Sequence, residues 1–167
     1  SRTSQGRGRW LWRARPVLLA TLIAPLLLTA GSFQVAMNPA PPAFVPRDQA
    51  AVFECLAEQG LRGEVALAAY ATSNALPAWA PLRVVAGIGT LSAQAGQLQH
   101  EVAAFYRQET PEEERTGILK SYGIQVVLWG PTERELGEFN LHTWQRLEPL
   151  CSQREYQAFQ VIDPNLQ

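Results

Sequence analysis

The chain is short of the residues that usually carry chemistry. It has two histidines, two cysteines and one methionine in 167 residues. His100 and His142 stand far apart, with no third and fourth donor at a recognisable spacing, so a metal centre is not expected. No nucleophile has a base beside it, which leaves no catalytic residue to name. A complete phosphate loop is missing too. "GIG" at Gly87 to Gly89 lacks the third glycine of G-x-G-x-x-G, so no nucleotide cofactor is expected. Internal repeats are absent, and so is charge along 31 consecutive positions, Pro16 to Pro46.

What charge there is falls in two blocks. Arg2, Arg7, Arg9, Arg13 and Arg15 crowd the N-terminus, whereas the chain from Arg47 onward is acidic by six charges. An acidic body argues against a nucleic-acid partner, because neutralising phosphates needs a basic surface. The basic tip suits anionic lipid headgroups instead. A chain that opens at Ser1 is expected to be a fragment or a processed product.

The uncharged stretch "PVLLATLIAPLLLTAGSFQVAM", 16–37, has the length to cross a hydrocarbon core about 30 Å thick. Trp10 and Trp12 precede it, where indoles favour the interface, and the arginines put the N-terminus on the cytoplasmic side. A buried core helix is disfavoured by the 31 uncharged positions in a row; a cleaved signal peptide is the leading rival, but its apolar region is shorter and "LTAGS" is a poor cleavage site. Either way the acidic domain lies outside the cytoplasm. "NPAPPAFVP" follows as a linker stiffened by four prolines. The expected organisation is a basic cytoplasmic segment (1–15), a transmembrane helix (16–37), a Pro-rich linker (38–46) and an extracytoplasmic α/β domain (47–167).

Within the domain, helical spacing marks Val52, Phe53 and Leu56, and again Leu98, Val102 and Phe105. "EVALAAY", "LRVVAGIG", "IQVVLW" and "EYQAFQVI" read as strands. "TPEEERTGILKSYG" carries Thr110 as N-cap, Pro111 in the first turn, Glu113 closing a capping box, and Gly123 as a left-handed C-cap. Thr132 and Glu135 repeat the box. Strands separated by helices predict a small three-layer α/β fold with a mostly parallel sheet.

In such a sheet, ligands gather beyond the carboxyl ends of the strands. "YATSN" (70–74), "GIG" and "WGPTERE" (129–135) all fall there. The acidic start of the last helix satisfies its dipole and repels phosphate, which favours a built corner over an anion site. Cys55 and Cys151 fit a disulfide outside the cytoplasm, and Cys55 equally fits a small buried residue on its helix.

The segments "VALAAYATSNALPAWAPLRVVAGIGT", "VAAFYR" and "ILKSYGIQVVLWGPTERELGEF" carry a resemblance. They look like the C-terminal extracytoplasmic region of polytopic bacterial membrane proteins of the GT-C glycosyltransferase type. Asn74, Pro77, Ala78, Arg83, Val84, Gly87, Tyr122, Gly123, Gly130, Pro131, Glu133 and Arg134 match that pattern. Ile88 stands where the family often has His, and Ser73 where it has Gly. The resemblance implies an accessory domain of an enzyme that uses polyprenyl-phosphate sugars, whose catalytic acidic residue lies in a loop far upstream. It implies membrane lipid, lipid-linked sugar and the rest of a multispanning chain as partners. The substrate-facing candidates are Thr72, Asn74, Gly87, Gly89, Thr90, Glu133 and Arg134. The alternative is a membrane-anchored binding or scaffold domain with no enzymatic role.

Overall fold

The computed structural model describes the backbone of residues 6–37, 44–87 and 95–162; within the first stretch, side chains are described at Thr21 and from Ile23 onward. The chain divides into two compact units, 1–43 and 44–167. The linker residues 38–43 lie outside the described residues.

The described residues of the first unit form one helix, α1, Gly6–Met37. It starts ten residues before Pro16 and takes in four of the five arginines. Among the described residues, no helix is long and apolar enough to cross a membrane, which corrects the transmembrane helix expected over 16–37. The apolar run of its described side chains begins at Ile23. Thr29, Ser32 and Gln34 interrupt it with polar groups. The Thr29 hydroxyl donates back to the Pro25 carbonyl at 2.7 Å, a bond to the preceding turn.

The second unit is an α/β domain. Its helices are α2 (Arg47–Glu58), α3 (Tyr70–Ala75), α4 (Ala95–Tyr106), α5 (Glu112–Tyr122) and α6 (Pro131–Arg134). Its strands are β1 (Val65–Leu67), β2 (Arg83–Val84), β3 (Ile124–Trp129), β4 (Leu147–Gln153) and β5 (Tyr156–Val161). They form one sheet in the order β2-β1-β3-β5-β4. β1 pairs parallel with β2 and β3, while β5 is antiparallel to both β3 and β4. The sheet is therefore mixed, and the expectation of a mostly parallel one is corrected. Two features hid the reason. β4 carries Pro149, which demotes a strand reading, and it survives because it is the edge strand, with a register shift between Pro149 and Cys151. The β4–β5 hairpin turns at Arg154, whose φ is +51°, without the Asn-Gly or Asp-Gly that announces such a turn.

Both faces of the sheet are covered. Val52, Phe53 and Leu56 of α2 pack with Ala66, Val126, Leu128 and Ala158 on one face. Val102, Phe105 and Tyr106 of α4, with Ile118 and Leu119 of α5, pack with Leu67, Val127 and Phe159 on the other. β3 is thus apolar on both sides, as a central strand must be. A register irregularity where β3 pairs with β1, between Val65 and Ala66, lets Ile124 join the α4–α5 face while Val126 joins the α2 face. A disulfide, Cys55–Cys151, ties α2 to the edge strand β4.

α5 ends as expected. Gly123 is left-handed (φ 60°, ψ 44°), and its N–H bonds back to the carbonyls of Leu119 and Lys120. Its start differs: Pro111 is the N-cap, with no side-chain cap bond. Thr110 is buried, and its hydroxyl donates to the Ala104 carbonyl at 2.6 Å. The Thr132 box does not form either, since α6 starts at Gly130–Pro131 without a side-chain cap.

Candidate functional site

Because β1, β2 and β3 run parallel, the segments that follow them meet at one edge of the sheet. The chain leaves β1 for β2 on one side, and β3 lies on the other side of β1. That divergence opens a crevice between the ends of β1 and β3, the position where ligands usually bind in such sheets.

Here the protein's own carboxylate fills the crevice. Glu133, only 2% exposed, accepts a hydrogen bond from the Ala69 N–H at 3.0 Å. Ala69 lies just beyond β1 and Glu133 just beyond β3, so one side chain ties the two exits together. Burial pushes the Glu133 carboxyl above the ordinary glutamate range, while the Thr72 hydroxyl and the backbone N–H groups of Ala69, Glu133 and Gly130 oppose that rise. Gly130 is required by space: a Cβ there would lie 2.8 Å from Tyr156 Cδ1 and 3.1 Å from Glu133 Oε2. "WGP" therefore turns the corner and seats the carboxylate that follows it.

Tyr106 secures the same two strands from the other face. Its side chain is fully buried, and its hydroxyl is shared between the carbonyls of Leu128 (2.9 Å) and Leu67 (3.2 Å). Burial pushes its phenol well up, with the Glu133 charge adding to the effect, so it stays a neutral donor. Its ring stacks on Trp129, with centroids 5.8 Å apart.

Of the residues singled out by sequence, Thr72 and Glu133 line one small cavity, together with Gln49, Phe53, Tyr156 and Gln157. Its volume is about 10 Å³, room for one water-sized molecule and no sugar. Asn74 is half-buried on α3, and Gly87 follows β2 at the same edge of the sheet. Gly89 and Thr90 lie outside the described residues. Arg134 is exposed and donates to the Glu155 carbonyl at 2.9 Å.

Three residues of this region were not marked by sequence reasoning. Tyr106 and Gln157 fall inside segments read from the sequence as a helix and a strand, and nothing in either segment singles them out. Arg115 lies in the charged first turns of α5, yet it is 4% exposed. Its guanidinium donates to the carbonyls of Phe105 (3.0 Å), Arg107 and Gln108, closing the end of α4, and it lies 3.5 Å over the Phe139 ring. The usable signal was its place in "PEEER", four residues before Leu119, on the buried stripe of α5.

Glu112 takes the Arg146 guanidinium at 3.2 Å and the Trp144 indole N–H at 3.3 Å. Those hydrogen bonds, Trp144 first, hold its carboxyl below the usual range. Among the described residues, no group of three His, Cys, Asp or Glu could hold a metal ion. Against protein-family models, curated proteins and solved structures alike, the chain finds no match.

Proposed function

We propose that residues 44–167 form a non-catalytic accessory domain that works outside the cytoplasm beside a membrane glycosyltransferase using polyprenyl-phosphate sugars. The observation that carries the non-catalytic part is Glu133. Its carboxylate sits where a ligand of an α/β sheet would sit, and it is bonded to backbone rather than presented to solvent. The pocket beside it is too small for a sugar or a phosphate. The Cys55–Cys151 disulfide supports placement in an oxidising compartment, because such bonds are rare in the reducing cytosol. The choice of enzyme rests on the sequence resemblance alone. Lipid-linked sugar would then meet the neighbouring enzyme, with this domain shaping access to it.

The test has two arms. The purified full chain, offered polyprenyl-phosphate sugars and nucleotide sugars, should turn over neither. Membranes of the producing cell should transfer sugar from polyprenyl phosphate more slowly once residues 44–167 are deleted. Turnover by the chain alone that disappears in Glu133→Gln would put an active site in this crevice. Unchanged transfer after the deletion would remove the glycosyltransferase from the reading.

A further inference from the structure

The small cavity at the β1–β3 crevice is lined by more polar atoms than its protein contacts satisfy. Thr72 is 3% exposed and Glu133 is 2% exposed. Thr72 Oγ1 and Gln157 Oε1 are both buried, and neither finds a hydrogen-bond partner among the described residues. The Thr72 hydroxyl lies near enough to the Glu133 carboxylate to favour its charged form, yet it lacks the geometry of a bond to it. Two such atoms on one cavity are unusual, because a buried polar group without a partner costs free energy.

The three groups are chemically matched to one guest. The Thr72 hydroxyl can donate one hydrogen bond. The Gln157 amide oxygen and the free lone pairs of the Glu133 carboxylate can each accept one. A water molecule accepts from the first and donates to the other two. Buried waters typically make about three hydrogen bonds, and about 10–15 Å³ is the room that one needs. The cavity offers about 10 Å³. A metal ion fits less well. It would find one carboxylate and two neutral oxygens, whereas hard cations want six or more oxygen ligands.

We infer that Thr72, Glu133 and Gln157 form a binding site for a single structural water, which links α3, α6 and β5 where no direct bond among the three side chains does. Thr72 stands on α3, behind the exit of β1. Glu133 stands on α6, behind β3, and Gln157 on β5, opposite Trp129 of β3. The water extends the tie that Glu133 makes to Ala69, so that the crevice is closed from three sides. Gln49 of α2 is 8% exposed and, with Tyr156, flanks the same cavity.

The experiment is a high-resolution crystal structure of the full chain, paired with solution NMR that detects water held beside the Ala69 amide. A density peak within hydrogen-bond distance of Thr72 Oγ1, Gln157 Oε1 and the Glu133 carboxylate is expected, with a matching water–amide cross-peak. The cross-peak should vanish in Thr72→Val, which keeps the shape and removes the hydroxyl, and should persist in Thr72→Ser. An empty cavity with the Thr72 hydroxyl turned onto the carboxylate would overturn the inference. So would anomalous density for a cation after soaking in rubidium or thallium salts. The wild-type measurement stands by itself should the valine variant fail to fold.

Discussion

Replacing Glu133 separates the tie from the charge. Glu133→Ala removes the acceptor for the Ala69 N–H, whose bond is buried. An orphaned buried donor costs about 1–3 kcal/mol. The lost side chain also leaves a void beside a cavity, which adds to the cost. Against this stands the relief of a carboxyl that burial disfavours when charged. The net loss expected at pH 7 is about 2 kcal/mol, roughly 6–10 °C in Tm for a domain of this size. Glu133→Gln keeps an acceptor oxygen and discards the titration, so at pH 7 it should stay within about 1 kcal/mol of the parent.

The pH dependence carries a definite sign. The Glu133 carboxyl is raised in the fold, so the folded chain holds its proton to higher pH than the unfolded chain does. The stability from this group is complete below the ordinary glutamate pKa. It falls as pH climbs from there through the raised folded value. Urea unfolding of the full chain at a series of pH values from 4 upward reads this directly. The parent should lose stability across that window relative to Glu133→Gln, with equal slopes in denaturant. Parallel profiles for parent and Gln variant would show that Glu133 is not the titrating group. An Ala variant as stable as the parent would show that the tie to Ala69 contributes nothing.

Three further perturbations probe the frame around the crevice. Reducing Cys55–Cys151, or replacing both by Ser, should cost about 2–4 kcal/mol, because the bond spans 96 residues of chain; the denaturation midpoint with and without reductant measures it, and equal midpoints would refute it. Gly137→Ala should destabilise by about 1–3 kcal/mol or more, since its Cβ would overlap the backbone of Tyr106 and Arg107; an unchanged Tm would mean that this approach is looser than described. Arg115→Met keeps the stem and removes the donors to the end of α4, so a loss of about 2–3 kcal/mol is expected in urea, and amide exchange should quicken along Phe105 to Gln108.

Legibility followed how local each determinant is. β3 could be read because six consecutive residues, "IQVVLW", are nearly all apolar, and Gly123 could be read because a left-handed cap selects glycine. β4 could not, because its strand character comes from pairing with β5 and not from its own composition of Glu, Pro, Ser and Gln. Thr110 shows the same limit at one residue. Its sequence context completes a capping box, yet burial gave its hydroxyl a better partner in Ala104, and Pro111 took the cap. The 16–37 stretch promised a span by its composition, yet among the described residues no helix is long and apolar enough to cross a membrane.

The crevice was half legible, and its unread half decides what it does. Position beyond β1 and β3 follows from the order of elements, so Thr72 and Glu133 could be placed at one edge. The acidic start of "PTER" argued against a phosphate there, and a carboxylate does hold that ground. Whether the carboxylate faced outward to act or inward to bind backbone depended on Gly130, Tyr156 and Ala69. Ala69 lies 64 residues from Glu133, and no periodicity links them. The same holds for Tyr106, whose hydroxyl reaches Leu67 and Leu128 across the sheet. A site turned inward is thus specified by contacts distant in sequence. The residue types alone, a glutamate after Gly-Pro and a threonine after a strand, are shared by corners that bind and corners that only hold.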